Sequence, residues 1–196
     1  MPITLNDSGI LFPDSSIQTT ADGNRQFISD TVLNNSASVS LNTSSSFIHY
    51  EVVFRNVVPV SQSVTLQAFL VTNNVTQTDN YYYNSLYSLL SNNSGINYGG
   101  NYNYIPLTYP GHFVNYAGGG ISGSFKIYDC RRNILLKNYE LNMHGYMYSS
   151  GYNGINIGGG FYNDSTNDGT LTVQGIVIAA SAGNLSSGTI SLYGWN

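Results

Sequence analysis

Alternation of apolar and polar residues at every second position, repeated along most of the chain, most restricts what this sequence can fold into. Tyr139, Leu141, Met143, Gly145 and Met147 fall on one side of an extended backbone, with Glu140, Asn142, His144 and Tyr146 on the other. That is the period of a half-buried strand, not of a helix. From Phe47 to Val58 the pattern recurs with Ile48, Tyr50, Val52 and Phe54 on one face, and from Val64 to Val71 with Val64, Leu66, Ala68 and Leu70. These two runs, joined through a short turn at Pro59, predict an antiparallel pair, which needs a second sheet to cover its apolar face.

Shorter runs follow the same rule: Phe27 to Leu33, Ala37 to Leu41, Ile121 to Tyr128, Ile155 to Phe161, Leu171 to Ala180 and Thr189 to Trp195. Only Leu86, Leu89 and Leu90 are spaced for a single helical turn. About eight to ten strands with Gly-rich turns and no long helix predict an all-β sandwich or barrel. The missing Cys-Trp-Cys arrangement argues against an immunoglobulin-like sandwich.

A chain of 196 residues suits one core, preceded by an extension. Residues 1–24 alternate weakly through Ile3, Leu5, Ile10, Phe12 and Ile17, and end in the turn-rich Ala21-Asp22-Gly23-Asn24. With no partner strand expected nearby, this segment reads as an attachment arm carried by Ile10, Phe12, Pro13 and Ile17, and residues 25–196 as the β domain.

Charged residues are only 8 % of the chain, against about 25 % in ordinary soluble proteins. The six basic residues are scattered, and Arg131-Arg132 is the one adjacent pair. Nucleic-acid binding needs clustered positive charge to displace counterions, so that pair reads as a solvated loop. No apolar run approaches the roughly 20 residues of a membrane-spanning helix. The lone Cys130 forms no internal disulfide, and no basic stretch followed by an apolar run opens the sequence. A chain made and folded in a cytoplasm is expected, which leaves Asn-x-Ser/Thr triplets such as that at Asn42 unglycosylated.

Catalysis requires convergent ionisable groups, and they are sparse here. Glu51 and Glu140 fall on the polar side of their strands, which points them outward and away from an acid and base pair. Cys130 with His144 is the only thiol and imidazole combination worth naming, and a structural cysteine accounts for it as well. No Gly-x-Ser-x-Gly elbow precedes a helix; Gly119-Gly120-Ile121-Ser122-Gly123-Ser124 leads into a strand. His49, His112 and His144 lack neighbours at metal-ligand spacing. The segment Asp164 to Gly169 resembles the start of a calcium loop, but Gly175 occupies the position of its bidentate Glu. Gly118 to Gly120 and Gly158 to Gly160 carry no P-loop Lys, and read as turns leading into strands or as close backbone approaches. No enzyme, metal or cofactor is expected.

Residues 75–120 are rich in tyrosine. Tyr81, Tyr82, Tyr83, Tyr98, Tyr102, Tyr104 and Tyr109, set among Asn, Ser and Gly, read as loops that either pack an interface or stack on sugar rings.

Two segments carry a resemblance. Gly9-Ile10-Leu11-Phe12-Pro13-Asp14-Ser15-Ser16-Ile17-Gln18-Thr19-Thr20-Ala21 near one end and Gly188-Thr189-Ile190-Ser191-Leu192-Tyr193-Gly194 near the other resemble small surface proteins of tailed bacteriophages, the head-fibre, decoration and tail-fibre proteins. Asn56-Val57-Val58-Pro59-Val60 and Gly158-Gly159-Gly160-Phe161-Tyr162 extend the likeness. Ser15-Ser16 stands where the pattern carries Gly-Thr, and residues 75–120 have no counterpart. The resemblance implies a jelly-roll sandwich and a homotrimer on the virion surface, joined to capsid or tail proteins by its arm. It implies a structural role, or as the alternative a receptor-binding module that recognises a host glycan.

Overall fold

The alternation translates directly into burial. In β13 (Leu136–Tyr146) every second residue from Lys137 to Met143 is buried and its neighbours are exposed. A computed structural model describes residues 4–6, 9–11, 17–18, 25–43, 46–89, 93–109, 113–114, 119–132, 136–146, 153–163 and 172–196. Among them every regular element is a strand, and no helix is long and apolar enough to cross a membrane.

Residues before Arg25 contribute β1 (Thr4–Asn6), β2 (Gly9–Leu11) and β3 (Ile17–Gln18), which form a separate three-stranded sheet. Leu5 pairs with Ile10, and Leu11 with Ile17. The expectation of an arm without a strand partner is therefore corrected: the segment finds partners within itself.

The domain that follows is an antiparallel β-sandwich. Its strands are β4 (Gln26–Val32), β5 (Ser38–Asn42), β6 (His49–Pro59), β7 (Leu66–Thr72), β8 (Val75–Thr76), β9 (Tyr81–Leu89), β10 (Asn93–Tyr102), β11 (Ile105–Pro106), β12 (Ile121–Ile127), β13, β14 (Asn153–Asn163), β15 (Val173–Ala180) and β16 (Leu185–Trp195). The larger sheet has the order β10-β9-β14-β13-β12-β6-β16-β4, and the smaller β11-β7-β15-β5, with β8 added to β7. The chain thus crosses repeatedly between layers, and β16 closes the larger sheet by lying between β4 and β6.

The predicted pairing of Phe47 to Val58 with Val64 to Val71 is corrected by these orders. β6 pairs with β12 and β16, whereas β7 pairs with β11, β15 and β8. Both faces were legible, since Tyr50, Val52 and Phe54 are buried against the same interior as Leu66, Ala68 and Leu70. Instead of turning back in one sheet, the chain passes to the other after Pro59, with Ser63 in the left-handed region at φ 54°. Opposed sheets let both apolar faces meet each other, as a half-buried strand requires.

The tyrosine-rich stretch is in large part strand and not loop, with Tyr104 and Tyr109 outside the strands. β9 and β10 pair antiparallel, from Leu89 with Asn93 to Tyr81 with Tyr102. Leu86 and Leu89 lie in β9 and not in a helical turn. β14 flanks the same strand, and its glycines explain how. A Cβ on Gly158 or Gly160 would overlap the carbonyl oxygen of Asn84 or Tyr82 across the ladder. These glycines sit in mid-strand, where the close-approach reading holds and the turn reading does not. Beneath this half of the larger sheet Ile105, Leu107, Phe113 and Val114 are buried, and Asn156 Nδ2 donates to the Leu107 carbonyl at 3.1 Å.

Candidate functional site

Strand register brings onto the outer face of the larger sheet two adjacent rows that no single segment contains. Tyr193, Glu51, Lys126 and Glu140 stand directly opposite one another in turn across β16, β6, β12 and β13. Two positions further along the strands, Trp195 pairs with His49, and Tyr128 follows the end of β12. The first row is charged, the second aromatic.

The charged row is paired internally. Arg25, immediately before β4, reaches Glu51 with Nη1 to Oε2 at 2.9 Å, and its guanidinium centre lies 3.7 Å above the Tyr193 ring. Arg55 holds the same tyrosine from its hydroxyl, donating to Tyr193 Oη at 3.2 Å and to Ser191 Oγ at 3.0 Å. Lys126 Nζ donates to Glu140 Oε1 at 2.7 Å. That contact holds the Glu140 carboxyl below the usual carboxylate range, partial burial opposing it and a hydrogen bond from Tyr128 adding to it. Glu51 and Glu140 face outward as expected, but Glu51 is nevertheless buried, being only 6 % exposed. The long side chain of Arg25 packs over the sheet here as well as pairing with it.

In the aromatic row the His49 ring lies 5.4 Å from Trp195 at 32°, and Tyr128 stands at 86° to the indole, 6.1 Å away. Burial lowers the pKa of His49, with Asp129 opposing and Arg132 reinforcing, and its Nδ1 accepts the Asp129 N–H at 3.1 Å. Burial and the neighbouring Glu140 push the Tyr128 hydroxyl up to about 12. Arg25, Glu51, Lys126, Tyr128 and Trp195 line an open depression of about 380 Å³.

The tyrosines named from sequence divide between core and surface. Tyr81 and Tyr83 are buried; Tyr81 accepts the Leu70 N–H at 2.9 Å and donates to the Gln77 carbonyl at 3.1 Å. Tyr82 is half-buried and stacks on Phe161 at 4.8 Å and 17°. Tyr102 lies edge-on to Tyr83 at 4.9 Å and 6.1 Å from Tyr104, and Tyr109 lies 4.1 Å from Tyr87. Tyr98 occupies β10 opposite Asn84, and its side chain lies outside the described residues. The six with described side chains are distributed among separate ring contacts, with Tyr83, Tyr102 and Tyr104 joined in one of them.

Other predicted positions are equally dispersed. Ile10 and Ile17 belong to the small N-terminal sheet, while Phe12, Pro13, His112, Gly118 and Asp164 to Gly169 lie outside the described residues. Cys130 is buried and burial pushes its thiol pKa up; His144 is exposed near the opposite end of β12, so the two do not meet. Arg131 and Arg132 are exposed in the loop after β12, with Arg132 Nε 3.1 Å from Asp129 Oδ1. Among the described residues no three His, Cys, Asp or Glu side chains are grouped to hold a metal ion.

Sequence reasoning missed the paired rows. Their signal was present as polar and aromatic residues two apart, His49 with Glu51, Lys126 with Tyr128, and Tyr193 with Trp195, but only register joins them. Comparison with protein-family models, curated proteins and solved structures finds no match to this chain.

Proposed function

We propose that this chain is a non-enzymatic structural protein of a tailed-phage virion, displayed on capsid or tail as a sandwich module and anchored by residues 1–24. The observation that carries the reading is the separateness of the N-terminal sheet. Among the described residues β1, β2 and β3 pair only with one another, and neither sheet of the sandwich takes a strand from them. A segment not required to complete the sandwich is free to serve as its mount. The jelly-roll reading draws support from strand order. β4-β16-β6-β12 in one layer faces β5-β15-β7-β11 in the other, the interleaving of two Greek keys that viral capsid and lectin domains share. Fold analogy by itself carries no function. The resemblance of the two chain ends adds the virion.

The test is removal of residues 1–24. Residues 25–196 are expected to give a soluble β-rich domain that no longer joins particles of the phage encoding the chain, as judged by antibody labelling in electron microscopy. A truncated domain that fails to fold, or one that still joins particles, overturns the anchoring role. The homotrimer implied by the resemblance is checked by light scattering against the chain mass of 21.3 kDa.

A second reading, a receptor-binding module, draws on the half-buried Tyr82, Tyr102, Tyr104 and Tyr109. Tyr81 and Tyr83, sealed in the core, cannot touch a receptor. Tyr104→Ala should then reduce adsorption to host cells while leaving particles intact; unchanged adsorption removes Tyr104 from that role.

A further inference from the structure

We infer that the depression between Arg25, Lys126, Tyr128 and Trp195 binds a neutral sugar ring, with the indole as its stacking surface and the flanking ion pairs as partners for its hydroxyls. The inference rests on neither reading above. It concerns the β16, β6, β12 and β13 part of the larger sheet and not the tyrosine-rich hairpin at the other end of that sheet, and it holds whatever particle the protein belongs to.

The composition of the depression selects this ligand. Its lining holds Arg25 paired with Glu51, and Lys126, whose partner Glu140 stands beside it outside the lining, so each cation is already matched by a carboxylate. An anionic ligand would have to displace Glu51 from Arg25 or Glu140 from Lys126, and a cationic one would meet both basic groups. Burying these charges under an apolar protein surface would cost desolvation that nothing repays. A sugar hydroxyl both donates and accepts. It can therefore take a hydrogen bond from Arg25 or Lys126 while giving one to Glu51, leaving each pair intact.

The aromatic row supplies the other half of a saccharide's chemistry. A pyranose presents an apolar face of C–H groups beside its hydroxyls, and an aromatic ring with a polar neighbour matches both. His49 and Tyr128 contact the Trp195 indole at distinct angles of 32° and 86°, which fixes its orientation beside the charged row. Cross-strand pairing at His49, Glu51 and Lys126 sets the partners on rigid strands and not on loops, so little ordering cost falls on binding. A volume of about 380 Å³ suits one or two sugar rings. Lys126 lies between the two carboxylates in the register, and Glu140 is held in its charged form. With Lys126 between them, the two carboxylates do not face each other as an acid and base pair, so binding without cleavage is expected.

The only tryptophan of the chain is Trp195, which makes its fluorescence a direct report on this site. The full chain is titrated with neutral di- and trisaccharides of glucose, galactose and N-acetylglucosamine, and with sialylated and sulfated counterparts, followed by emission and by calorimetry. Saturable binding of a neutral sugar is expected, weakened at least about tenfold by Trp195→Ala and by Lys126→Gln. Lys126→Gln keeps the test decisive should Trp195→Ala not fold. No binding of any neutral sugar up to about 10 mM, binding confined to the acidic sugars, or affinity indifferent to Lys126→Gln would each overturn the assignment.

Discussion

The ammonium group of Lys137, on the inner face of β13, donates to the main-chain carbonyl of Asp129 at 3.0 Å. It donates to the Arg132 carbonyl as well, so a lysine only 2 % exposed closes the turn after β12 from within. Asp129 sits in the left-handed region at φ 56°, and Cys130 ties the same turn to Ile48 and Val173 through main-chain hydrogen bonds. Lys137→Met keeps the aliphatic bulk but leaves two inward carbonyls without their donor. A loss of about 1–3 kcal/mol is expected from the orphaned groups, read from urea unfolding curves. No measurable loss would mean that water replaces the ammonium.

Gly160 lies in β14 opposite Tyr83 of β9. A Cβ there would overlap the Tyr82 carbonyl oxygen and stand 2.7 Å from the Tyr139 hydroxyl, which itself donates to that carbonyl at 2.8 Å. Backbone cannot give way as a flexible side chain can. Gly160→Ala is expected to destabilise the sandwich by about 1–3 kcal/mol and to raise hydrogen exchange in β9 and β10 above that in β6. Normal protection of the hairpin in this variant would contradict the packing account.

Arg25 and Glu51 form an asymmetric pair, with side-chain exposures of 43 % and 8 %. Arg25→Ala removes both the counter-charge and part of the cover from a carboxylate that remains buried. Screening around the exposed guanidinium keeps the expected loss near about 1 kcal/mol, and adding Glu51→Gln should recover part of it. A double-mutant cycle in thermal unfolding measures the coupling; strictly additive losses would show that the two groups act independently.

His49 gives stability a pH dependence of definite sign. Its pKa is lowered in the folded chain, first by burial, and its Nδ1 serves as acceptor for the Asp129 N–H only while the ring is neutral. The unfolded chain therefore takes up the proton more readily. The contribution of His49 is complete above its unfolded value of about 6.5, and is lost as pH falls below that toward the folded value. Melting temperature should fall more steeply from pH 7 to pH 5 in the wild type than in His49→Gln. Trp195 emission should drop over the same window, because a protonated imidazole quenches the neighbouring indole. Parallel pH profiles for the two chains would exclude this histidine as the source.

The faces of the strands could be read from order along the chain alone, because side chains in a strand alternate whatever lies beside it. Tyr50, Val52 and Phe54, or Tyr139, Leu141 and Met143, announce one buried side irrespective of partner. The same reasoning placed Glu140 and His144 outside. It stopped at the tyrosines, because Tyr81 and Tyr83 differ from Tyr82 only by strand parity. Asn, Ser and Gly around them weaken the alternation that would have revealed a strand.

Pairing is a different quantity, and it belongs to the tertiary structure. β6 carries the same alternation whether its neighbour is β7 or β12, so the passage of the chain between sheets after Pro59 left no local trace. Nor does the sequence state that Glu51 stands opposite Lys126, 75 residues away in the chain, or that Arg25 bends across Tyr193. Local order determined an all-β chain with defined inner and outer faces, since side-chain direction depends on a residue's own backbone. Register alone decided which polar and aromatic residues share one depression, since hydrogen bonds between distant strands, and not spacing within a strand, fix their distances.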